Sequence, residues 1–429
     1  MTPSSPARSP GPSRRGSPGN ATRAAALLLL SAVLDRRRTL EEGLDTLPAR
    51  TEARDRAAAH RIAAAVLRRL GSLDAVLEPF LRREPPPAAR HVLRIGAAEL
   101  LLLGTPAHAA VGSAVEAAPG PFAGLVNAVL RKVAAAGPAA LEGLDGPRLD
   151  TPPWLWSSWH GAYGPGVRAI AAAHGSPAPL DLSLRPGAAP PEGAEILPTG
   201  TARLPAGTRI TELPGFAEGA FWAQDAAASL PVRLLGAREG ERVADLCAAP
   251  GGKAAGLAAT GARVTAVERD PRRAERLREN LTRLRFGAEV VVADVMEWAP
   301  AHAGTFDAVL LDAPCTATGT IRRHPDVPHL KRARDVAGLA ETQGAMLRAA
   351  AGLLRPGGRL VFATCSLQPE EGEAHLPRAD ALGLRRDPVR AEEVPGLEGA
   401  VRDGALRTRP DLWGERGGMD GFFVARFFV

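Results

Sequence analysis

The chain has little sulfur, few aromatics and hardly any lysine. Its three cysteines, at 247, 315 and 365 of 429 residues, are too sparse and too far apart for a disulfide framework. The nine histidines form no cluster with zinc-ligand spacing, so no metal is expected. Long hydrophobic runs are also missing: AAALLLL, from Ala24, falls far short of the roughly 20 residues a bilayer needs. Asp35 and the arginines 36 to 38 follow that run where a signal peptide would place small residues for cleavage, so a cytoplasmic protein with no membrane partner is expected. Of the 53 basic residues, only Lys132, Lys253 and Lys331 are lysine. Arginine serves wherever a generic cation suffices, and a lysine kept in a glycine-rich turn, as Lys253 is, points to a need for a compact ammonium.

What is present organises the chain into regions. At this length, and with 45% hydrophobic residues, two or three domains with real cores are expected. Residues 1–150 carry 20 Arg and Lys against 14 Asp and Glu, so the whole net charge of +6 lies there, a bias that favours nucleic acid. Residues 1–19 are Pro, Ser, Gly and Arg and read as a disordered basic tail. Residues 20–146 show apolar positions at three and four spacing, the pattern of an all-α bundle of six or seven helices with no side chains suited to catalysis. Residues 147–220, rich in Pro and Gly, read as a linker and a small α/β subdomain that contacts RNA; Trp154, Trp156 and Trp159 within it read as packing residues. From 221 to 429, strand-like and helix-like segments alternate, as in a parallel sheet flanked by helices.

The last region carries the chemistry. RVADLCA predicts a strand, APGGK a tight turn and AAGLAATG a helix, so the backbone of Cys247, Ala248, Ala249, Pro250, Gly251, Gly252 and Lys253 would line a ligand at the helix start. The next strand, RVTAVERD, ends in Glu268, placed 16 residues after Gly252 to hold two ribose hydroxyls. A third, EVVVADV, ends in Asp294, placed to accept from an adenine amino group. The glycine pattern differs from the dinucleotide fingerprint. S-adenosylmethionine fits better, because its cationic sulfonium needs no phosphate cradle and suits a pocket with Asp245, Glu268, Asp294 and Asp312.

Each cysteine follows a predicted strand, in VADLCAAPGGK, LLDAPCTATG and LVFATCSLQPEEGE. A single cysteine there is more often inert core than nucleophile, and Cys247 is read so. Cys315 and Cys365 lie in polar loops at the carboxyl ends of strands, where open α/β sheets place ligands. RRHPD, Arg322 to Asp326, reads as a loop facing RNA beside them.

LCAAPGGK, LLDAPCTATGTIRRHPD, ATCSLQPEEGE and the closing DGFFVARF resemble the motifs of the RNA cytosine-5 methyltransferases. PAHAAVGSAVEAA and GLVNAVLRKV resemble the NusB-like RNA-binding domain. Joined in this order they resemble the RsmB/Sun (Fmu) family of 16S ribosomal RNA cytosine-5 methyltransferases, from about residue 21 to 429. Gly372 departs from the pattern, standing where the family commonly has Asn. The resemblance implies a NusB-like bundle followed by a Rossmann-like α/β methyltransferase domain, S-adenosylmethionine as cofactor and 16S rRNA as partner; a monomer is expected. It further implies that the Cys365 thiolate adds to C6 of the target cytosine, making C5 nucleophilic enough to take the methyl group. Cys315 would assist product release, and Asp312 would bind the N3/N4 edge of the base. Lys253 would lower a thiol pKa and offset nearby negative charge. Two other assignments stay open: the same chemistry on tRNA, and a non-catalytic RNA-binding or antitermination factor, which would need neither cysteine.

Overall fold

The computed structural model describes residues 18–429, so the tail expected over residues 1–19 lies outside it except for its last two residues. The chain divides into two compact units, with the boundary between Leu144 and Asp145.

The first unit is built from α1 (Pro18–Leu34), α2 (Leu40–Asp45), α3 (Ala53–Arg68), α4 (Leu70–Leu77), α5 (Pro87–Leu101), α6 (Ala107–Ala117) and α7 (Ala123–Ala136). The three-and-four spacing has the predicted result: Ile62, Ala63, Val66 and Leu67 of α3 are buried, and α1 packs on both α3 and α5. A capping box starts α2, with the Glu42 N–H donating to Thr39 Oγ1 at 3.1 Å and the Thr39 N–H to Glu42 Oε2 at 2.8 Å. The glycine within α5 has a packing reason. A Cβ at Gly96 would stand 2.3 Å from Leu130 Cδ1 of α7, so the helices approach at that point too closely for any side chain.

The second unit opens with α8 (Gly146–Leu149), α9 (Pro153–Tyr163) and α10 (Val167–His174). Next comes a small antiparallel sheet of β1 (Leu180–Leu184), β2 (Glu195–Ile196), β3 (Ala202–Leu204) and β4 (Phe221–Ala223), ordered β2-β3-β1-β4. The alternating region follows as α11 (Ala226–Leu235), β5 (Arg242–Leu246), α12 (Gly252–Ala258), β6 (Arg263–Glu268), α13 (Pro271–Leu284), β7 (Glu289–Val292), α14 (Val295–Trp298) and β8 (Phe306–Asp312). Helices α15 (Val327–Leu330) and α16 (Ala333–Leu353) lead to β9 (Leu354–Thr364), α17 (His375–Ala381), β10 (Arg385–Arg386), β11 (Val401–Arg402), β12 (Ala405–Arg407) and β13 (Phe423–Phe428).

The large sheet runs β11-β12-β13-β9-β8-β5-β6-β7, with β10 also paired to β13. Its β7-β6-β5-β8-β9 part is parallel, and β13 returns antiparallel beside β9. Strands β5 and β8 are almost wholly buried except at Arg242 and Asp312, as central parallel strands covered on both faces must be. The chain leaves β5 toward β6 on one side and returns to β8 on the other. The carboxyl ends of β5 and β8 therefore flank the crevice where such sheets bind ligands.

Residues 147–220 are more than a linker. The fully buried Trp159 of α9 donates from Nε1 to Gln368 Oε1 at 2.9 Å, and Tyr163 Oη donates to the Leu367 carbonyl at 2.6 Å. Both acceptors lie just after Cys365, so α9 braces the loop that carries a predicted site residue. The packing role read for Trp159 follows from its burial, and its indole finds the acceptor that burial requires. Among the described residues, no helix is long and apolar enough to cross a membrane, and no group of three or more His, Cys, Asp or Glu could hold a metal ion.

Candidate active site

The turn after β5 is held rather than flexible. Gly251 has φ +105° and a Cβ there would lie 2.6 Å from Leu277 Cδ1, so only glycine fits. Asn280 donates to the Pro250 carbonyl at 2.9 Å and Arg273 to the Ala249 carbonyl at 3.0 Å, both from α13. From the other side the small sheet contributes Gln224. Its Oε1 accepts from Trp222 and Ser183, and its amide lies 3.4 Å from where a Cβ on Gly252 would be.

Glu268 ends β6 buried, accepting from the Asp270 N–H at 3.0 Å and the Ala249 N–H at 3.3 Å. It thus ties the turn to the next strand and keeps lone pairs for a ligand. Asp294 has a second duty that the sequence reading did not include. It is the N-cap of α14, accepting from the Met296 N–H at 2.9 Å, while its other oxygen lies 3.8 Å from the exposed Arg269.

Asp245 is completely buried on β5, and neither carboxylate oxygen has a hydrogen-bond donor. Burial pushes its pKa up to about 8, against the pull of Lys253 and with the help of Asp312 and Glu268. An orphaned buried acid among other acids fits a cationic ligand, and the residues therefore fit S-adenosylmethionine. The turn Cys247–Lys253 with Glu268 and Asp294 would hold its nucleoside part. Cys247 itself is unreactive here: burial, then Asp312, Glu268 and Asp245, raise its thiol to about 12.

The other cysteines meet. Cys315 follows β8 and Cys365 follows β9, and because these parallel strands are neighbours the two sulfurs stand 3.4 Å apart. Lys253 Nζ donates to Asp312 Oδ2 at 2.7 Å, bringing the glycine turn to the end of β8. Burial disfavours the ammonium, but Asp312, and after it Cys365, outweigh that and raise the Lys253 pKa. The Cys315 thiol is raised well above the usual value by its hydrogen bond to Cys365 and by burial, so that sulfur keeps its proton.

Sequence reasoning missed Glu371. This fully buried carboxylate of the QPEEGE segment accepts from the Thr316 N–H at 2.9 Å, the Thr316 hydroxyl, the Ser366 hydroxyl at 2.5 Å and the Gln343 amide at 3.2 Å. An acid close behind Cys365 was the available signal.

The RRHPD reading needs correction. Arg322 does not face RNA: it is buried, donating to Asp225 Oδ2 at 3.2 Å and to the Gly417 carbonyl at 2.5 Å. Asp326 is buried as well, and of the two arginines only Arg323, clasped by Asp420, reaches solvent. Gly372, the departure from the resembled pattern, is explained by Arg407. A Cβ at 372 would lie 2.3 Å from Arg407 Nη2 and 2.9 Å from Phe423 Cγ. The guanidinium, bonded to Glu373 and to the Ser366 carbonyl, leaves no room for a side chain there.

Comparison with known proteins bears on the family and the fold. The family described as 16S rRNA methyltransferase RsmB/F matches residues 232–428, and the NusB family matches residues 20–135. The ribosomal RNA small subunit methyltransferase B of Vibrio cholerae is 36% identical over 435 residues, which cover 94% of this chain and 96% of that protein. Its namesake in Pseudomonas syringae pv. tomato is 36% identical over 434 residues, covering 94% and 96%. The crystal structure of PH0851 superposes with a TM-score of 0.72 over 96% of this chain and 99% of that one, at 22% identity, which shows a shared fold.

Proposed function

Because the chain belongs to the RsmB/F family of 16S rRNA methyltransferases, we propose that it methylates C5 of one cytosine in small-subunit ribosomal RNA through a bond between the Cys365 sulfur and C6 of that base. The observation that carries this reading is the meeting of two thiols, 3.4 Å apart, beside the Lys253–Asp312 pair. S-adenosylmethionine, when bound, supplies the methyl group on a positively charged sulfur. Cys365, as thiolate, gives its electron pair to C6, and the ring becomes an enamine. C5 then takes the methyl group. Loss of the C5 proton and cleavage of the C6–S bond return the electron pair to Cys365, with Cys315 assisting this last step. Asp312 holds the N3/N4 edge of the base and stabilises its activated form, and Lys253 fixes Asp312 in place.

The amino-terminal unit, where the excess of positive charge lies, supplies salt-sensitive RNA affinity in this reading. Bisulfite sequencing of ribosomal RNA from strains with and without the gene tests the proposal. Loss of one protected cytosine in the small-subunit RNA is the expected result. Loss of a protected cytosine in tRNA alone would move the substrate, and no change in any RNA would overturn the reading.

A further inference from the structure

Two segments carry the reactive thiols, and hydrogen bonds beyond the sheet make them meet: the Gly319 N–H donates to the Cys365 carbonyl and the Leu367 N–H to Thr318 Oγ1, both at 3.0 Å. Cys315 sits after β8 and Cys365 after β9, with 50 residues between them. Parallel pairing of the two strands ends at Asp312 and Ala363, before either cysteine, and the loops beyond are free to diverge as far as the sheet is concerned. They do not diverge. The residue after each cysteine, Thr316 in one loop and Ser366 in the other, donates to the same carboxylate. That carboxylate is Glu371, with no exposure to solvent.

The clamp is more elaborate than packing needs. Glu371 Oε1 takes the Thr316 N–H and the Gln343 amide, and Oε2 takes both hydroxyls. The Glu371 carbonyl in turn accepts from Thr364 Oγ1 at 2.8 Å, which anchors the acid to the end of β9. A buried carboxylate is costly unless its lone pairs are satisfied, and four donors satisfy this one. An apolar side chain would fill the space without that requirement. Its chemistry is what sets it apart: an acceptor with two oxygens can fix two loops relative to each other in direction as well as distance.

We propose that Glu371 is a positioning residue for the methyl transfer, its carboxylate holding the loops of Cys315 and Cys365 so that both thiols reach one base. The inference rests on the proposed function for its consequence in turnover, while the geometry of the thiols can be tested without RNA. The charge has a second effect. Its field falls on Cys315 and, after the contact with Cys365 and burial, adds to what keeps the proton on that sulfur. The clamp therefore helps keep the Cys315 proton in place as well as holding that sulfur close to Cys365.

The test uses the full-length protein and phenylarsine oxide, a trivalent arsenical that condenses with two neighbouring thiols, forming two As–S bonds and releasing one water. Wild type should bind one arsenical bridging Cys315 and Cys365, located by mass spectrometry of the digested adduct. In Glu371→Gln, which keeps the size and loses the charge and one acceptor oxygen, arsenical affinity should fall at least tenfold. Iodoacetamide should still label both thiols, and S-adenosylmethionine binding should be unchanged. With RNA, kcat should fall at least tenfold with KM within about twofold, because the base still binds and the thiols no longer converge on it. Should Glu371→Gln fail to fold, Ser366→Ala removes one of the four donors to Glu371, together with the acceptor of the Gln368 N–H, and should show the same split with smaller changes. Arsenical capture and kcat both at wild-type values in a folded variant would overturn the proposal. A loss of capture in a protein whose wild type methylates no RNA would leave the clamp standing and sink the proposed function instead.

Discussion

In the amino-terminal unit, the nearly buried Arg90 meets Asp74 at 3.1 Å, Glu84 at 3.3 Å and Glu78 at 3.5 Å, and the buried Glu99 is gripped by Arg23 at 2.7 and 2.9 Å. In the second unit, Asp245 is buried as deeply and meets no donor at all. Both arrangements place ionisable groups where water cannot reach, and both carry a cost of desolvation. Only one covers that cost with protein partners. Complete pairing marks a group whose work is structural. Incomplete pairing, at the ligand-binding edge of a sheet, marks a group whose partner arrives from outside. Glu371, with four donors, shows that the second unit also completes its pairs when the purpose is to hold a loop.

The sharpest way to break this contrast is to remove the reactive groups themselves. Cys365→Ala should lower turnover by about 10³-fold or more and abolish any covalent RNA complex. Cys315→Ala should form the complex and release it poorly. A denaturing gel with labelled RNA and S-adenosylmethionine separates the two, and a trapped species from Cys365→Ala would reverse the assigned roles. Next in size is a pair whose removal should touch stability alone. Arg23→Met leaves the buried Glu99 carboxylate without the two guanidinium donors that grip it, and should cost about 3 kcal/mol in urea denaturation with S-adenosylmethionine affinity unchanged. A parallel loss of cofactor affinity would mean that pairing in the first unit is not purely structural. Glu268→Ala should do the converse. Loss of its hydrogen bonds to ligand should weaken S-adenosylmethionine binding by about 1.5–3 kcal/mol, with RNA affinity hardly changed, and equal losses of both in calorimetry would remove Glu268 as a cofactor ligand.

Much of the molecule was legible in the sequence because local pattern and local chemistry agreed. The turn between β5 and α12, the acids closing β6 and β7, and the thiols after β8 and β9 all follow from strands short and apolar enough to be recognised one by one. What escaped depended on residues brought together from a distance. Arg322 sits in a polar loop and reads as solvent-facing, yet Asp225, 97 residues earlier, and Asp420 beyond it draw it inside. Glu371 reads as one acid among several in QPEEGE, and only the approach of Thr316, 55 residues away, reveals its task. The small sheet is hard to read for another reason: β2 has two residues and β3 three, too few for a period of two to show. Arg407 and Gly372 exclude one another's alternatives, a constraint that no single-position pattern carries.

Asp245 offers the most delicate test, because its signal is a dependence on pH rather than a loss. In the protein without cofactor its folded pKa is raised to about 8 from a usual value of 3.8. Between those values the folded chain retains a proton that the unfolded chain has released, so this group contributes stability at low pH that is lost as pH rises toward 8. One proton corresponds to at most about 1.4 kcal/mol per pH unit. From pH 6 to pH 8 the contribution should shrink by about 2 kcal/mol in wild type and not at all in Asp245→Asn, whose amide does not titrate. Every other titrating group is common to both proteins, so the difference between their urea-denaturation free energies at the two pH values isolates this one. A difference that stays constant from pH 6 to pH 8 would show that Asp245 is already ionised when the protein folds. The second unit would then bury a carboxylate with a partner of its own, and the contrast with Arg90 and Glu99 would fail at the residue that defines it.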